Sequence, residues 1–414
     1  MKIILPEKVR YIIASLEAAG YEAYAVGGCV RDSILGKSPN DWDICTSALP
    51  EEAEKVFCNE RIIESGIKHG TITLILEHIP FEITTFRTEN GYSDSRRPDS
   101  VNFVKSITED LGRRDFTVNA MAYNISLGLV DKFGGCEDLE NKCIRCVGNP
   151  DERFSEDALR IMRAIRFAAV LGFDIDKKTA KAVRDKKFLL KNIATERINT
   201  EFTKALLSDN PQLLYKYKEV ISEFLECAKN LDAVTVKAIS LLPHNRCLRL
   251  AALLLGIYRS DSDLTDKIKT ALINMKYDKK TIKRVSDIAA CSTYGVPATL
   301  KECRLLAGDF GLVAIYDRVI IGSVYATVLN STYEAELCSN AMGYIEEIKE
   351  KNLCCNVSGL DINGEVLKSA GITDGAEIGQ LLKTLTSAVI DGKADNKREA
   401  LLEYAITIYK EKSQ

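Results

Sequence analysis

Two aspartates separated by one residue, Asp41 and Asp43, have a spacing that suits phosphoryl chemistry. On an extended strand, residues i and i+2 point to the same face. Two carboxylates on one face repel each other unless they are solvated or bound to cations, and their oxygen atoms suit Mg²⁺ that bridges nucleotide phosphates. We therefore predict that both are catalytic metal ligands; the alternative is a solvated pair at a strand end. A third carboxylate, Glu82, lies on a neighbouring predicted strand, and the sequence leaves open whether it joins the metal site or faces solvent.

A glycine turn precedes the aspartate pair. A predicted strand ends at Val26, Gly27 and Gly28 follow, and a helix is expected to begin near Cys29. Glycines at such a turn let backbone N–H groups approach a phosphate closely, and the start of a helix favours anions. An ordinary tight turn would also explain the glycines. Because the aspartates follow, we predict that Gly28 and Arg31 contact a triphosphate.

An Arg-Arg-Asp cluster stands before an apolar run at Arg113, Arg114 and Asp115. Arg114 could contact a phosphate, and Asp115 could accept a hydrogen bond from a ribose hydroxyl. The alternative is a charged helix start with Asp115 as its cap.

A second acidic and basic pair, Asp157 and Arg160, lies on a predicted helix with Ser155 as its N-cap. At a spacing of three, the two side chains are neighbours on one helix surface. The plain interpretation is a surface ion pair worth about 0–1 kcal/mol. The functional interpretation is a protein template for a base, because a carboxylate accepts from an exocyclic amine while a guanidinium donates to the adjacent ring nitrogen. Cytosine and adenine share that edge, whereas uracil and guanine reverse it, so the pair would select C and A.

Arg163 and Arg166 continue the three-residue spacing beyond Arg160. Since steps of three drift around a helix of about 3.6 residues per turn, Arg166 is expected nearly opposite Asp157. A long arginine side chain can bend back, so both arginines remain candidate nucleotide contacts.

The elements that must position these residues change in character along the chain. The first part has short strand-like runs, including a predicted hairpin of Thr71–Leu76 and Phe81–Phe86, and a polar loop at Asn90–Ser100. From about Ser155 onward, apolar residues recur at helical spacing. We therefore predict an α/β head followed by a long helical body. Helix breaks are expected near Ser208–Pro211, Ser260–Asp263 and Ala370–Gly375.

Composition narrows the class of protein. The chain has 414 residues, enough for two to four domains, with 46% apolar and 28% charged residues as in soluble globular proteins. The sequence shows no apolar run that approaches a membrane span. Thirteen scattered cysteines fit a reducing cytosol. A net charge of −3 argues mildly against a nucleic-acid binder, although phosphate backbones are bound by local basic patches.

Several of these stretches together resemble the class II tRNA nucleotidyltransferases, which are the bacterial and eukaryotic CCA-adding enzymes and their poly(A) polymerase relatives. The matching stretches fall in order across about residues 20–205: GGCVRD with DWD, RRDFTVNAM, DKFGGCEDLENKCIRCVGNP, RFSEDALRIMR and TERINTEF. The tail from Val357 also looks similar, but its segment Ala370–Gly375 departs from the family, many members of which carry a proline-containing turn there.

The resemblance implies an α+β fold with a DNA polymerase beta-like head and an all-helical neck, body and tail. The expected divisions are residues 1–148, 149–208, 209–330 and 331–414. It implies Mg²⁺ at Asp41 and Asp43, and partners tRNA, CTP and ATP. The remaining residues that it places at the nucleotide are Gly28, Arg31, Arg114, Asp115, Asp157, Arg160, Arg163 and Arg166.

The resemblance further implies addition of CMP, CMP and AMP to the tRNA 3′ end in the cytoplasm, with no membrane. Whether the protein forms a homodimer is left open by the sequence. The loop at residues 90–100 resembles the family's flexible loop, which is linked to the switch from C to A addition. Three alternatives remain: an A-adding enzyme or a poly(A) polymerase of the same family, a catalytically inactive RNA-binding protein, and a small-molecule nucleotidyltransferase, which would not need the long helical body.

Two further patterns have plain explanations beside functional ones. The basic stretch Lys267–Arg284 could contact tRNA phosphates or form a solvated helix face. Cys143 and Cys146 have zinc-ligand spacing, but no second pair of cysteines follows at a fitting distance, so we do not expect a zinc site. No metal-phosphohydrolase His-Asp pair is present, so an HD domain is not expected either.

Overall fold

The computed structural model of the protein describes residues 2–90 and 100–412. The chain forms two compact units, Met1–Lys229 and Asn230–Gln414, which we call unit 1 and unit 2. The four-part division expected from the sequence stays a prediction.

Unit 1 contains the strands of the described chain. In order they are β1 (Ala23–Val26), β2 (Ile44–Thr46), β3 (Arg61–Gly66), β4 (Thr71–Leu76), β5 (Ile79–Thr85), β6 (Arg87–Asn90), β7 (Ser100–Phe103), β8 (Ala122–Asn124), β9 (Gly128–Val130), β10 (Cys143–Ile144) and β11 (Asp174–Ile175).

The α-helices of unit 1 lie between and after these strands. They are α1 (Glu7–Ala18), α2 (Gly28–Ile34), α3 (Pro50–Val56), α4 (Ile107–Gly112), α5 (Gly135–Glu140), α6 (Pro150–Glu156), α7 (Leu159–Leu171), α8 (Lys177–Asp185), α9 (Thr195–Leu206), α10 (Gln212–Lys216) and α11 (Lys218–Ile221).

A mixed sheet with the order β3-β4-β5-β2-β1-β8-β9 forms the head. Strand β2 runs parallel to β5 and antiparallel to β1, so the start of β2 lies at the centre of the sheet, beside the end of β1. Residues just before β2 and just after β1 are therefore brought to the same edge. The two segments singled out in the sequence, the aspartate pair and the glycine turn, occupy these positions.

The predicted hairpin is confirmed as the antiparallel pair β4 and β5. Side chains alternate along β4, with Ile72, Leu74 and Leu76 buried, as a sheet with one face on a core requires. Glu77 and His78 both have positive φ, at 48° and 68°, which is the conformation of a two-residue type I′ turn. The polar loop predicted after this hairpin falls between β6 and β7, and its residues 91–99 lie outside the described part of the chain.

A break divides the segment that the sequence predicted as one helix with Ser155 as its N-cap, and that prediction is wrong. Helix α6 begins earlier, because Asn149 caps it by accepting from the Asp151 N–H at 3.1 Å and Pro150 is well suited to the first helical position. Ser155 lies inside α6, and Asp157 is extended, with φ −131° and ψ 101°. The Asp157 carboxylate then accepts from the Leu159 N–H at 3.0 Å at the start of α7.

One strand also interrupts the predicted all-helical neck. Strand β11 pairs in parallel with β10, joining Cys143 to Asp174 and Ile144 to Ile175. Strands of only two residues are too short to be predicted from the spacing of apolar residues in the sequence. The predicted fold class, an α/β head followed by a mainly helical remainder, is otherwise confirmed.

Unit 2 is helical in its described residues, and the predicted breaks near residues 260 and 370 fall between its helices. The helices are α12 (Ala233–Leu241), α13 (Arg246–Tyr258), α14 (Leu264–Asn274), α15 (Lys279–Ser292), α16 (Leu300–Phe310), α17 (Leu312–Leu329), α18 (Thr332–Glu350), α19 (Gly364–Ser369), α20 (Gly375–Ile390) and α21 (Arg398–Lys412).

Within the described ranges, α17 alone is long and apolar enough to cross a membrane by length and composition, with a mean hydropathy of 1.6. The core helix of a soluble protein meets the same criterion. Helix α17 packs with α12, α15, α16 and α18. Its residue Asp317 is buried and ion-paired with Arg284 at 2.7 Å.

Candidate active site

A cavity of about 570 Å³ in unit 1 brings together every site residue predicted from the sequence. It is lined by both aspartates, the glycine turn, the Arg114–Asp115 segment and the start of α7. The lining residues that the sequence analysis did not assign to the site are Gly27, Arg87, Arg113, Asn119 and Phe167.

The aspartate pair stands at the edge of the sheet, directly before β2. The Val26 N–H donates to the Asp43 carbonyl at 3.0 Å, which extends the pairing of β1 and β2. Asp43 opens into the cavity, yet surrounding protein displaces water from its carboxyl group. Its pKa is raised to about 6, first by this burial and then by the negative charges of Asp41 and Glu82, against the opposing charge of Arg114. The charge of Arg114 therefore compensates the carboxylate of Asp43 only in part.

These carboxylates fit a divalent cation as a donor set, because their hard oxygen atoms repel one another and are only partly neutralised. Within residues 2–90 and 100–412, no group of three His, Cys, Asp or Glu side chains could hold a metal ion alone. A cation at Asp41 and Asp43 would therefore complete its coordination with water or substrate phosphates, as Mg²⁺ commonly does. The charge of Glu82 acts on Asp43, while its role as a ligand stays open.

The glycine turn needs glycine at its first position. Gly27 has φ +80°, and a Cβ there would lie 3.0 Å from Nη1 of Arg114. Gly28 begins α2, and the predicted start of this helix is confirmed within one residue. Arg31, one turn on, donates from Nη1 to Oδ1 of Asn119 at 2.6 Å and from Nε to Asp32 at 2.8 Å. Its guanidinium group is thus held in place at the cavity wall.

Asp110 is a buried anchor for two arginines of the site, and it was missed at the sequence level. Its carboxylate accepts from Nε of Arg113 at 3.0 Å, from Nη2 of Arg114 at 3.3 Å and from the Arg87 backbone N–H at 3.3 Å. Burial alone would raise the pKa of Asp110, but Arg114 and Arg113 lower it below its ordinary value. The available signal was spacing, since Asp110 precedes the two arginines by three and four residues.

Asp115 is bonded to the protein through both carboxylate oxygens. Oδ1 accepts from the Phe116 N–H at 2.8 Å and from Nδ2 of Asn119 at 3.2 Å. Oδ2 accepts from Nε of Arg163 at 2.7 Å. In this state Asp115 shapes the local turn and orients Arg163, so a contact with a ribose stays a prediction.

Asp157 and Arg160 both face the cavity, and different neighbours anchor them. Arg160 is 7% exposed; Nη1 contacts Glu156 at 3.0 Å and Nη2 donates to the Arg113 carbonyl at 3.0 Å. Oδ2 of Asp157 lies 3.7 Å from Nη2 of Arg197. Burial raises the pKa of Asp157, against the charge of Arg197. Arg197 belongs to the TERINTEF stretch, to which the sequence analysis gave no role at this site.

Phe167 is surrounded by three guanidinium groups. Their central carbons lie 3.7 Å (Arg166), 5.2 Å (Arg163) and 5.4 Å (Arg31) from the ring centroid. Nε of Arg166 also lies 2.6 Å from Oε2 of Glu201 in α9, as an ion pair without hydrogen-bond geometry. We expected Arg166 nearly opposite Asp157 on one helix. Both residues line the same cavity, because Asp157 precedes α7 and does not lie on that helix.

Family models match three stretches of the chain. They are the "Poly A polymerase head domain" over residues 23–145, the "Probable RNA and SrmB- binding site of polymerase A" over residues 172–217, and tRNA nucleotidyltransferase domain 2 over residues 260–405.

Known proteins match along almost the whole chain. It is 37% identical over 411 residues to the CCA-adding enzyme of Limosilactobacillus reuteri, covering 98% of this chain and 97% of that one. It is 35% identical over 405 residues to the CCA-adding enzyme of Lactiplantibacillus plantarum, with 95% and 94% covered. The crystal structure of the Bacillus stearothermophilus CCA-adding enzyme in complex with CTP matches with a TM-score of 0.77 at 27% identity, over 99% of both chains.

Replacing Asp110 by asparagine should destabilise unit 1 and its arginine cluster. Removing one partner of a buried ion pair typically lowers the free energy of unfolding by about 3–5 kcal/mol. Because folding lowers the pKa of Asp110, the ionised carboxylate stabilises above its ordinary pKa of about 3.9, and that contribution is lost as pH falls below it. Urea unfolding at pH 7 and at pH 3.5 measures both effects.

The matched control is Glu109→Gln, which removes an exposed carboxylate from the same helix. It should change the free energy of unfolding by less than about 0.5 kcal/mol. Equal unfolding midpoints for the two variants at pH 7 would contradict the anchoring role of Asp110.

Proposed function

Because this chain belongs to the family of CCA-adding enzymes and poly(A) polymerases, we propose that it adds CMP, CMP and AMP to the 3′ end of tRNA. It does so without a nucleic-acid template, uses CTP and ATP, and releases pyrophosphate. The observation that carries the proposal is one cavity in which an aspartate pair, a glycine turn, several arginines and the Asp157–Arg160 pair meet. Since the thirteen cysteines are odd in number and scattered along the chain, we place the reaction in the reducing cytosol.

The reaction is an attack by the tRNA 3′-hydroxyl on the α-phosphate of the nucleotide. Asp41 and Asp43 would hold a divalent cation, which we propose to be Mg²⁺; it would supply the positive charge that lowers the pKa of the hydroxyl and neutralises the triphosphate. The guanidinium groups of Arg31, Arg163 and Arg166 bind the triphosphate and stabilise the negative charge that pyrophosphate carries away. Asp110 and Asp115 keep the neighbouring arginines in position before the substrate enters.

Base selection follows from donor and acceptor patterns. The Asp157 carboxylate accepts from the exocyclic amine of cytosine or adenine, and Arg160 donates to the adjacent ring nitrogen. Uracil and guanine would place a carbonyl against Asp157 and a ring N–H against Arg160, which leaves buried polar groups unpaired. Anchoring by Glu156 and Arg197 holds the two side chains at separate points on the cavity wall, as a template requires.

A tRNA transcript that lacks its last three nucleotides tests the function. With a divalent cation, we expect two additions from CTP alone and a third when ATP joins, resolved at single-nucleotide length. ATP incorporation only onto a tRNA ending in CC would assign A addition instead, long A tails would assign a poly(A) polymerase, and no extension would refute a tRNA substrate.

Replacing Asp41 by alanine should lower the transfer rate by roughly 10³-fold, because loss of an electrostatic partner of the reacting groups has effects of this size. The measurement is single-turnover CMP addition, accompanied by thermal unfolding to confirm that the variant folds. The exposed carboxylate variant Glu51→Ala on α3 serves as control and should retain the wild-type rate. An Asp41→Ala enzyme with near-wild-type turnover would rule out the metal assignment.

Replacing Asp157 by asparagine should relax base selection, because the amide can donate to the carbonyl of uracil. We expect the UTP-to-CTP ratio of kcat/KM to rise about 10- to 100-fold, which matches the discrimination of about 1–3 kcal/mol available from one paired base edge. The control is Asp151→Asn on α6, an exposed residue outside the cavity. If the ratio is unchanged in Asp157→Asn, the base is selected elsewhere.

A further inference from the structure

Unit 2 contains a cavity of its own, of about 440 Å³. It lies among α13, α14, α15, α17 and α18, and neither the sequence patterns nor the proposed reaction assigns it a role. Part of its wall is apolar, formed by Leu255, Ile321 and Leu329. Arg318 and Arg259 bring positive charge to the same cavity. A mainly apolar pocket with a few convergent polar groups is the usual form of a small-ligand site.

Arg318 is the unusual side chain of this cavity. Its Nε is buried and has no hydrogen-bond partner. The thiols of Cys291 and Cys338 lie near the guanidinium group, but burial raises the pKa of Cys291 to about 11 and raises that of Cys338 as well. Both thiols are therefore neutral at pH 7 and do not balance the arginine. Burial accordingly lowers the pKa of Arg318 below its ordinary value, although the charge of Glu334 opposes this.

The helix that carries Arg318 also leaves room for it. Gly322 follows one turn later in α17, and a Cβ at that position would lie 2.8 Å from Nη1 of Arg318 and 3.0 Å from Sγ of Cys338. Glycine is a poor helix former. Glycine at this position leaves room both for the guanidinium group of Arg318 and for the Cys338 thiol.

Other arginines of unit 2 show how a partly buried guanidinium group is normally satisfied. Arg304 donates from Nε and Nη2 to the Cys354 carbonyl at 2.9 and 2.8 Å. Arg284 contacts the buried carboxylate of Asp317 at 2.7 Å. A buried charge without such a partner is unfavourable, and placing an anion beside it removes the penalty. Arg318 thus has the environment expected of a residue that binds an anionic ligand.

We propose that this cavity binds a phosphate group carried on an organic body with a flat face, such as the base of a nucleoside, with the guanidinium group of Arg318 as its anchor. The planar fork of arginine matches phosphate oxygens. The apolar wall of Leu255 and Ile321 contacts the organic part. Because Glu334 also lines the cavity, a singly charged phosphodiester is favoured over a doubly charged phosphate. The phosphodiester could belong to an RNA strand or to a free dinucleotide.

The direct test observes Arg318 itself, in the full-length protein labelled with ¹⁵N-arginine. The Nε–H resonance of Arg318 is identified by its loss in Arg318→Met. Addition of dimethyl phosphate should shift this resonance to saturation at constant ionic strength, and the dinucleotide CpC should do so at lower concentration because it also contacts the apolar wall. A resonance that neither compound moves, with sodium chloride as reference, overturns the proposal.

A stability comparison separates a ligand site from a structural role. Arg318→Met removes a guanidinium group whose buried Nε has no hydrogen-bond partner, so its melting temperature should equal or exceed that of the wild type. Arg304→Met is the matched control and should melt at a lower temperature, because its guanidinium group is hydrogen-bonded. If Arg318→Met is destabilised as much as Arg304→Met, Arg318 is a structural residue and the proposal fails.

The source of the phosphate is tested with tRNA, and this step alone rests on the proposed function. If tRNA supplies it, Arg318→Met should weaken tRNA binding about five- to tenfold and reduce the salt dependence by about one phosphate contact, with the KM for CTP unchanged. Unchanged tRNA affinity together with a responsive Arg318 resonance assigns the site to free phosphodiesters such as dinucleotides. A wild-type protein that does not bind tRNA would refute the proposed function while the resonance test still stands.

Discussion

Crowding of like charges in one cavity is the constraint on which the rest of unit 1 depends. Arginines concentrate around the cavity that we propose binds a triphosphate, and they repel one another. Buried carboxylates offset this repulsion, because Asp110 forms ion pairs with Arg113 and Arg114, and Asp115 forms one with Arg163. Phe167 adds an uncharged face against which Arg166 packs at 3.7 Å. The arginines are thus positioned by the protein, so a substrate finds the positive charge already oriented.

The carboxylates of the cavity are arranged differently from its arginines. Asp41 and Asp43 receive little compensation from their surroundings, and the pKa of Asp43 is raised as a result. The sheet makes this arrangement possible. The start of β2 and the end of β1 meet at one edge, which fixes the backbone of the aspartate pair and of the glycine turn. The proposed cation would complete such a site, whereas positively charged side chains would compete with it for the same carboxylates.

Local spacing in the sequence predicted the features that depend on neighbours along the chain. The aspartate pair before β2, the glycine turn before α2 and the hairpin of β4 and β5 are of this kind. The placement of Asp157 was wrong because a stronger signal, Asn149 followed by Pro150, starts the helix earlier and leaves Asp157 in the break. Glu201 and Arg197 could not be assigned to the site, since α9 meets α7 only through tertiary packing, which a single sequence does not show.

Two adjacent residues of α17 show why burial must be judged together with partners. Asp317 is buried and bonded to Arg284, so its charge contributes to the folded structure. The Nε of Arg318 is buried without a partner, and Gly322 gives it space at the expense of helix propensity. Selection for stability alone would replace Arg318 by an apolar residue, because a buried charge of this kind is often less stable than a hydrophobic one of similar volume. The proposed anion binding explains such a group and folding does not, on the same physical grounds that set Asp41 and Asp43 apart from Asp110.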